Sequence, residues 1–388
     1  MRILLLDAGV VAGTGHNQAI LEELDAQTRG RAGVELVCAV AHGIDAGAFG
    51  HLACRLLPAF QLHGYARLVC GDQPRAAVAK LLDAACASDL AALQPERFDL
   101  VLMPTAHPLH LLALARLAGR LPATTRIACG LLMPPAFWAL DDEAAAMLEA
   151  AMHEAASTLA CRANTFIYSE TGRYRIGAAT VASAILLPPV ATSTLQRMAL
   201  LAVQPRTGSA ALRFGFFGAP EPRKGFDLLA ASMQAGLPDG VSLSLRLPAS
   251  AQAFVAEWSK PALRVDGVAA ATDNARFFDD MASVDVVLAF YAPQMHRTQM
   301  SGMVAEAICL GKPLLLAEGC DALIDFLARH APGSYLCRPW TVEGLRSGLA
   351  APASEWRAAA RAAMASAPAM RELKSAERYL AITSGGAW

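Results

Sequence analysis

Residues 284–316 read VDVVLAFYAPQMHRTQMSGMVAEAICLGKPLLL. The apolar run Val284–Ala289 has the length and composition of a buried strand. It runs into the loop Phe290-Tyr291-Ala292-Pro293. Ser301-Gly302 then opens a helix, because serine caps a helix start and glycine allows close approach to the backbone. Gly311-Lys312-Pro313 is a tight turn, and Leu314–Leu316 begins the next strand. Strand, loop, helix, turn, strand is the repeating unit of a helix-covered parallel sheet. The free N–H groups at such a helix start bind an anion. Glu306 stands about one and a half turns into the helix. There its carboxylate can accept hydrogen bonds from a ribose diol, or it can be an ordinary solvated helix residue.

The same rhythm runs outward in both directions. It predicts strands at Arg2–Asp7, Val34–Ala39, Leu100–Pro104, Thr125–Leu131, Thr165–Ser169 and Ala184–Leu187. Helical stretches such as Asn17–Ala26, Pro74–Leu93 and Asp142–Ala160 lie between them. The rhythm halts at Pro188-Pro189 and restarts with strands at Leu212–Phe217 and Ser242–Leu247. The class is therefore α/β, with an N-terminal domain over 1–190, a linker over 191–209 and a second domain over 210–351. Residues 352–388 read as C-terminal helices with a break near Pro368. Doubly wound domains bind ligands beyond the carboxyl ends of their strands, so the cleft between two such domains is the default site.

Composition narrows the function. Of 388 residues 55% are hydrophobic and 17% charged, and 33 basic against 34 acidic side chains leave a net charge of −1. Such a chain has no basic excess for binding nucleic acid. Through Val190 there are 14 basic and 17 acidic residues, leaving 19 and 17, so any phosphate site must be local. A mean hydropathy of +0.35 raises the question of a membrane span. Leu109–Ala118 is short and holds Arg116, and Ala144–Ala160 holds Glu149, His153 and Glu154. Asp7 interrupts the first apolar run too early for a signal peptide. The expectation is a cytoplasmic protein, with peripheral contact at the inner face of the membrane left open. The nine cysteines form no CxxC pair and read as small buried hydrophobes. No DxD-like metal motif stands out, and nothing marks an obligate protein partner.

A second informative stretch is Phe214-Gly215-Phe216-Phe217-Gly218-Ala219-Pro220-Glu221-Pro222-Arg223-Lys224-Gly225. Arg223 and Lys224 stand where a strand's carboxyl end meets a helix, and cations there suit a diphosphate. Together the two stretches resemble the donor half of GT-B-fold glycosyltransferases, most closely the retaining glycosyltransferase family 4. Lys224-Gly225, Glu306-Ala307 and Gly311-Lys312-Pro313 carry the resemblance. Phe166–Glu170 and Ile185–Val190 resemble the segments that lead into that family's linker. It implies two Rossmann-like, doubly wound domains facing each other across a cleft, with the C-terminal helices packing back on the first. It also implies a nucleotide-sugar donor, a UDP- or GDP-sugar used as co-substrate, with no other cofactor and no metal. By resemblance Lys224 neutralises the donor phosphates, Ser301, Gly302 and Met303 bind them through backbone N–H groups, and Glu306 holds the ribose. The chain departs from the pattern twice. Ala219 replaces an arginine, for which Arg223 could substitute, and Thr298 replaces the first carboxylate of Glu-x7-Glu, which contacts the transferred sugar.

The first half would then hold the acceptor, which is a sugar, a lipid-linked sugar or a small molecule. Gly13-Thr14-Gly15-His16-Asn17 follows the first strand, and its small residues, Gly15 among them, suit a diphosphate or sugar close to the backbone. His16 is a candidate catalytic residue and the hook for an inverting mechanism, or else it packs and caps. His107 and His110 follow the strand Leu100–Pro104. His107 is the second catalytic candidate, against a loop histidine satisfied by backbone. The leading expectation is a retaining, metal-free glycosyltransferase. The alternative is a catalytically degenerate GT-B domain that serves as a binding or scaffold subunit.

Overall fold

The computed structural model describes residues 1–10, 16–71, 73–176, 179–180, 184–202, 211–248, 263–268 and 274–388. The chain forms two compact units, Met1–Ala191 with Lys374–Trp388, and Thr192–Leu373.

The first unit is built on β1 (Arg2–Leu6), β2 (Glu35–Ala41), β3 (Arg55–Phe60), β4 (Leu100–Met103), β5 (Arg126–Gly130) and β6 (Thr165–Ser169). A short antiparallel pair, β7 (Arg175–Ile176) and β8 (Ala179–Thr180), precedes β9 (Ala184–Ile185). The sheet is parallel in the order β3-β2-β1-β4-β5-β6-β9. The first six strands have the Rossmann order, in which winding reverses between β1 and β4. Its helices are α1 (His16–Thr28), α2 (Arg75–Ala92), α3 (Pro108–Ala118) and α4 (Asp142–Ala160), with a C-terminal helix Ala376–Thr383. Side chains alternate across a strand, so β1 needs apolar residues on both faces. Leu4 and Leu6 join Leu111, Leu114, Leu148 and Met152 from α3 and α4. Ile3 and Leu5 join Ile20 and Leu24 from α1 and Tyr379 and Leu380 from the C-terminal helix.

The second unit begins with α5 (Thr192–Ala202), in the stretch read as a linker. Next come β10 (Leu212–Phe217), α6 (Phe226–Gln234), β11 (Val241–Pro248), β12 (Leu263–Val268), α7 (Asn274–Ala282) and β13 (Val286–Ala289). They are followed by α8 (Pro293–His296), α9 (Gly302–Cys309), β14 (Leu314–Ala317), α10 (Asp321–His330), β15 (Tyr335–Arg338), α11 (Val342–Leu349) and α12 (Ala353–Leu373). The sheet is again parallel, in the order β12-β11-β10-β13-β14-β15. This is the same Rossmann order, with the switch point between β10 and β13.

The tail differs from expectation. It divides: α12 belongs to the second unit, where Trp356 packs edge-on against Phe214 of β10, and Lys374–Trp388 belongs to the first. No break occurs at Pro368, which lies inside α12. The buried stripe Trp356, Ala359, Ala363, Ala367 and Met370 continues past it. Met364, whose carbonyl loses its helical donor at Pro368, lies on the 40% exposed side, where water can satisfy it. Among the described residues no helix is long and apolar enough to cross a membrane.

Candidate functional site

The two loops that flank the switch point of the second unit hold most of the candidate side chains. After β10 the chain turns through Gly218 and a tight turn, Pro222–Lys224, into Gly225. Gly225 has φ +75, and a Cβ there would stand 2.1 Å from the Phe290 carbonyl oxygen and 3.1 Å from the Trp340 ring. The Ala292 N–H donates to the Arg223 carbonyl at 2.9 Å, so this loop is fastened to the one after β13.

Lys224 is half-buried, and its Nζ lies 2.9 Å from where a Cβ on Gly218 would be. Glycine there leaves room for the ammonium. Among the described residues Lys224 has no carboxylate within ion-pair distance. Burial, and then the neighbouring Arg223, lower its pKa, against an opposing pull from Glu221. The site thus holds a partly desolvated cation that a phosphate would complete. Arg223 is instead ion-paired to Glu221, with side chains 43% and 38% exposed. An exposed pair of this kind contributes at most ~1 kcal/mol, so a dianion can compete for the guanidinium.

The start of α9 is open. The Ser301 side chain makes no capping hydrogen bond and sits 3.5 Å from the Tyr291 hydroxyl. Val304 N–H donates to the Ser301 carbonyl, while the N–H groups of Gly302 and Met303 have no acceptor among the described residues. Two unsatisfied donors at the positive end of a helix can bind an anion. Glu306 is half-buried and folds back over this end, with Oε1 3.8 Å from where a Cβ on Gly302 would be. Its charge, after burial, helps push the Tyr291 phenol up to about 12. Thr298 is half-buried, and its hydroxyl makes no hydrogen bond among the described residues.

Two residues here carried no signal in the sequence reading. Tyr291 is 4% exposed, and its hydroxyl also reaches the Met303 sulfur at 3.6 Å. His296, 8% exposed, stacks on the Tyr291 ring with centroids 4.6 Å apart.

The first unit also gathers polar groups at its switch point. Gly15 and the side chain of His16 lie outside the described residues; the backbone of His16 opens α1. Next to it Asn17 donates to both oxygens of Asp7, at 2.8 and 3.1 Å, and accepts from the Tyr65 hydroxyl at 2.6 Å. Burial lifts the Asp7 carboxyl from 3.8 to about 6, although hydrogen bonds from Gly9 and Asn17 oppose the shift. Between those values the folded chain holds a proton that the unfolded chain has released. The stabilisation from this group is therefore full below about 3.8 and is lost as pH rises through about 6. In urea unfolding, the wild type should gain about 1.4 kcal/mol over Asp7→Asn between pH 7.5 and 5. An unchanged difference would contradict this placement of Asp7.

His107 is corrected by its surroundings. It is 1% exposed and caps α3, its Nδ1 accepting from Leu109 N–H at 3.2 Å, beneath the edge of Trp138. Burial, then His110, drive its pKa well down. A ring so enclosed fixes a helix start and is not presented to a substrate. His110 is 3% exposed and packs on Phe60, with its pKa pushed down to about 4 by burial.

No protein-family model matches the chain, and no curated protein matches it by sequence. Solved structures do match over its whole length. Sucrose-phosphate synthase from Thermosynechococcus elongatus aligns with a TM-score of 0.63 at 14% identity, covering 99% of this chain and 97% of that one. Anabaena HepE in complex with UDP gives 0.60 at 15% identity, covering 99% and 100%. The spinosyn rhamnosyltransferase SpnG complexed with thymidine diphosphate gives 0.53 at 14%, covering 99% of each. Two Rossmann-like units with two parallel sheets, matched at full coverage, give this chain the GT-B fold.

Proposed function

We propose that the chain is a glycosyltransferase that moves a sugar from a nucleoside-diphosphate sugar to an acceptor. One observation carries the reading. The open helix start at Gly302 and Met303, the Lys224 ammonium, which has no carboxylate partner among the described residues, and the Glu306 carboxylate stand in or directly after the two loops at one switch point. In this reading Gly302 and Met303 bind the diphosphate through N–H groups, with Ser301 shaping the turn. Lys224 neutralises it, and Arg223 joins after release from Glu221. Glu306 accepts from the ribose diol, and Thr298 offers a hydroxyl to the sugar. These groups stabilise the departing diphosphate without a metal, since they face the charge that develops as the glycosidic bond breaks. Solved structures of the same fold hold UDP and thymidine diphosphate, so the donor nucleotides to try are UDP, thymidine diphosphate and GDP.

Retention is the proposed stereochemical outcome. His16 is the residue on which an inverting route would rest, and the anomeric configuration of the product separates the two. The acceptor is assigned to the first unit, and Gly15 is a proposed contact of the donor diphosphate. A cytoplasmic location, with contact at the inner membrane face, is the proposed setting. Ala219 and Thr298 favour one second reading, a degenerate domain that binds a nucleotide sugar without turning it over. Sugar transfer by the purified chain would exclude that reading.

The test is a thermal-shift panel of UDP, GDP and thymidine diphosphate. A ligand at 100 times its Kd stabilises the folded state by about 2.7 kcal/mol. We expect at least one to raise the melting temperature by several degrees. If none does, and none binds by calorimetry, the proposal fails.

A further inference from the structure

We propose that His296 reads the transferred sugar: as an uncharged ring, it accepts at Nε2 a hydrogen bond from a sugar hydroxyl of the donor. The inference rests on the donor-site reading above and adds to it a residue that selects among sugars.

The geometry fixes the tautomer. Nδ1 lies 3.1 Å from the Gln299 carbonyl oxygen, and a carbonyl only accepts, so Nδ1 carries the proton. A neutral ring then has a bare lone pair at Nε2. Nε2 has no hydrogen-bond partner among the described residues, although the side chain is more than nine-tenths buried. The ring is stacked on Tyr291 at an interplanar angle of 29°, and the Tyr291 hydroxyl reaches the Ser301 and Met303 side chains at the open helix start. Met295, the preceding residue, contacts the Arg223 guanidinium through its sulfur at 4.0 Å. His296 thus borders both parts of the proposed diphosphate site.

The charge state follows from the same neighbours. Burial comes first, and the Arg223 and Lys224 cations add to it, taking the imidazole down to about 4 against the pull of the Gln299 carbonyl. At neutral pH the ring is uncharged. An unprotonated Nε2 repels a phosphate oxygen and needs a donor. In a nucleotide sugar the donors are the N–H groups of the base, which lie beyond the ribose and away from the diphosphate, the ribose hydroxyls, which fall to Glu306, and the hydroxyls of the sugar. The sugar hydroxyl remains. Thr298, two residues on, supplies a hydroxyl but no carboxylate, and His296 adds to this loop an acceptor that carries no proton of its own.

The experiment compares UDP with UDP-glucose, GDP with GDP-glucose, and thymidine diphosphate with its glucose conjugate, by calorimetry. The proteins are the full-length wild type, His296→Leu and His296→Gln. Leucine removes the acceptor, whereas glutamine places a carbonyl oxygen close to the Nε2 position. We expect His296→Leu to lose about tenfold in affinity for the sugar conjugate and nothing for the bare diphosphate. His296→Gln should recover most of the loss. Equal losses for both ligands would make His296 a phosphate contact or a packing residue and overturn the inference, leaving the donor reading intact. Unchanged affinities, or a conjugate that binds no differently from its diphosphate in the wild type, would overturn it too. If no diphosphate binds the wild type, the donor reading and this inference fall together.

Discussion

Replacing Lys224 with alanine should raise the Kd for the nucleoside diphosphate that the chain binds by roughly 30- to 100-fold, about 2–3 kcal/mol. The size follows from where the ammonium sits. It is half-buried, burial already lowers its pKa, and among the described residues no carboxylate pairs with it. A phosphate would meet a cation that has already lost part of its hydration, so the charge-assisted bond is at the strong end of its range. The folded chain gains little from that ammonium, so Lys224→Ala should melt at or above the wild-type temperature. Arg223→Ala provides the contrast. Its guanidinium is exposed and shared with Glu221, so the loss should be only a few-fold. Calorimetric titration of the three proteins checks the ranking. An alanine at 224 that binds as well as the wild type would remove Lys224 from the site.

The second large effect is on stability. Gly225→Ala should lower the unfolding free energy of the second unit by about 3–4 kcal/mol, roughly 10 °C in melting temperature. A left-handed φ costs an alanine about 1 kcal/mol. The remainder comes from contact, because the new Cβ would stand 2.1 Å from the Phe290 carbonyl oxygen and close to the Trp340 ring. Gly236 isolates the first contribution, since its φ is +84 and a Cβ there meets nothing within 4 Å. Gly236→Ala should therefore cost only about 1 kcal/mol. Equal losses at the two glycines in chemical unfolding would show that the two loops are not in the contact described. The same clash would push apart the loops that carry Lys224 and His296. Where Gly225→Ala still folds, it should also bind the diphosphate more weakly.

The central strands of both sheets were legible because burial on both faces leaves runs that are mostly apolar. Thr165–Ser169 and Leu212–Phe217 coincide with β6 and β10. The sequence reading predicts none of β3, β12 and β15, and each lies at a sheet edge. Every residue of β15 is only half-buried, and β3 contains Pro58, which an edge strand tolerates. An edge strand faces solvent on one side, so its sequence need not announce itself. Pro368 misled for the opposite reason. A local helix breaker was outweighed by the buried stripe of α12, which only the tertiary packing reveals.

The site divides in the same way. Lys224, Gly302 and Glu306 could be singled out because the roles proposed for them follow from position along a strand-loop-helix unit. His107 could not be judged, because a histidine after a strand looks the same whether it caps a helix or faces a ligand. His296 was illegible for a related reason. Its character depends on Gln299, Tyr291, Arg223 and Lys224, and the last two come from a loop some seventy residues earlier in the chain.

The most direct test reads binding at the helix start itself. In protein labelled with 15N at methionine, the Met303 amide can be assigned with a Met303→Leu variant and followed during titration with UDP, GDP and thymidine diphosphate. The account predicts that the diphosphate that binds shifts the Met303 amide strongly and slows its hydrogen exchange, while the matching nucleoside without phosphates does neither. A diphosphate that binds with the Met303 amide unmoved, or the absence of any binding diphosphate, would contradict the placement of the donor at α9.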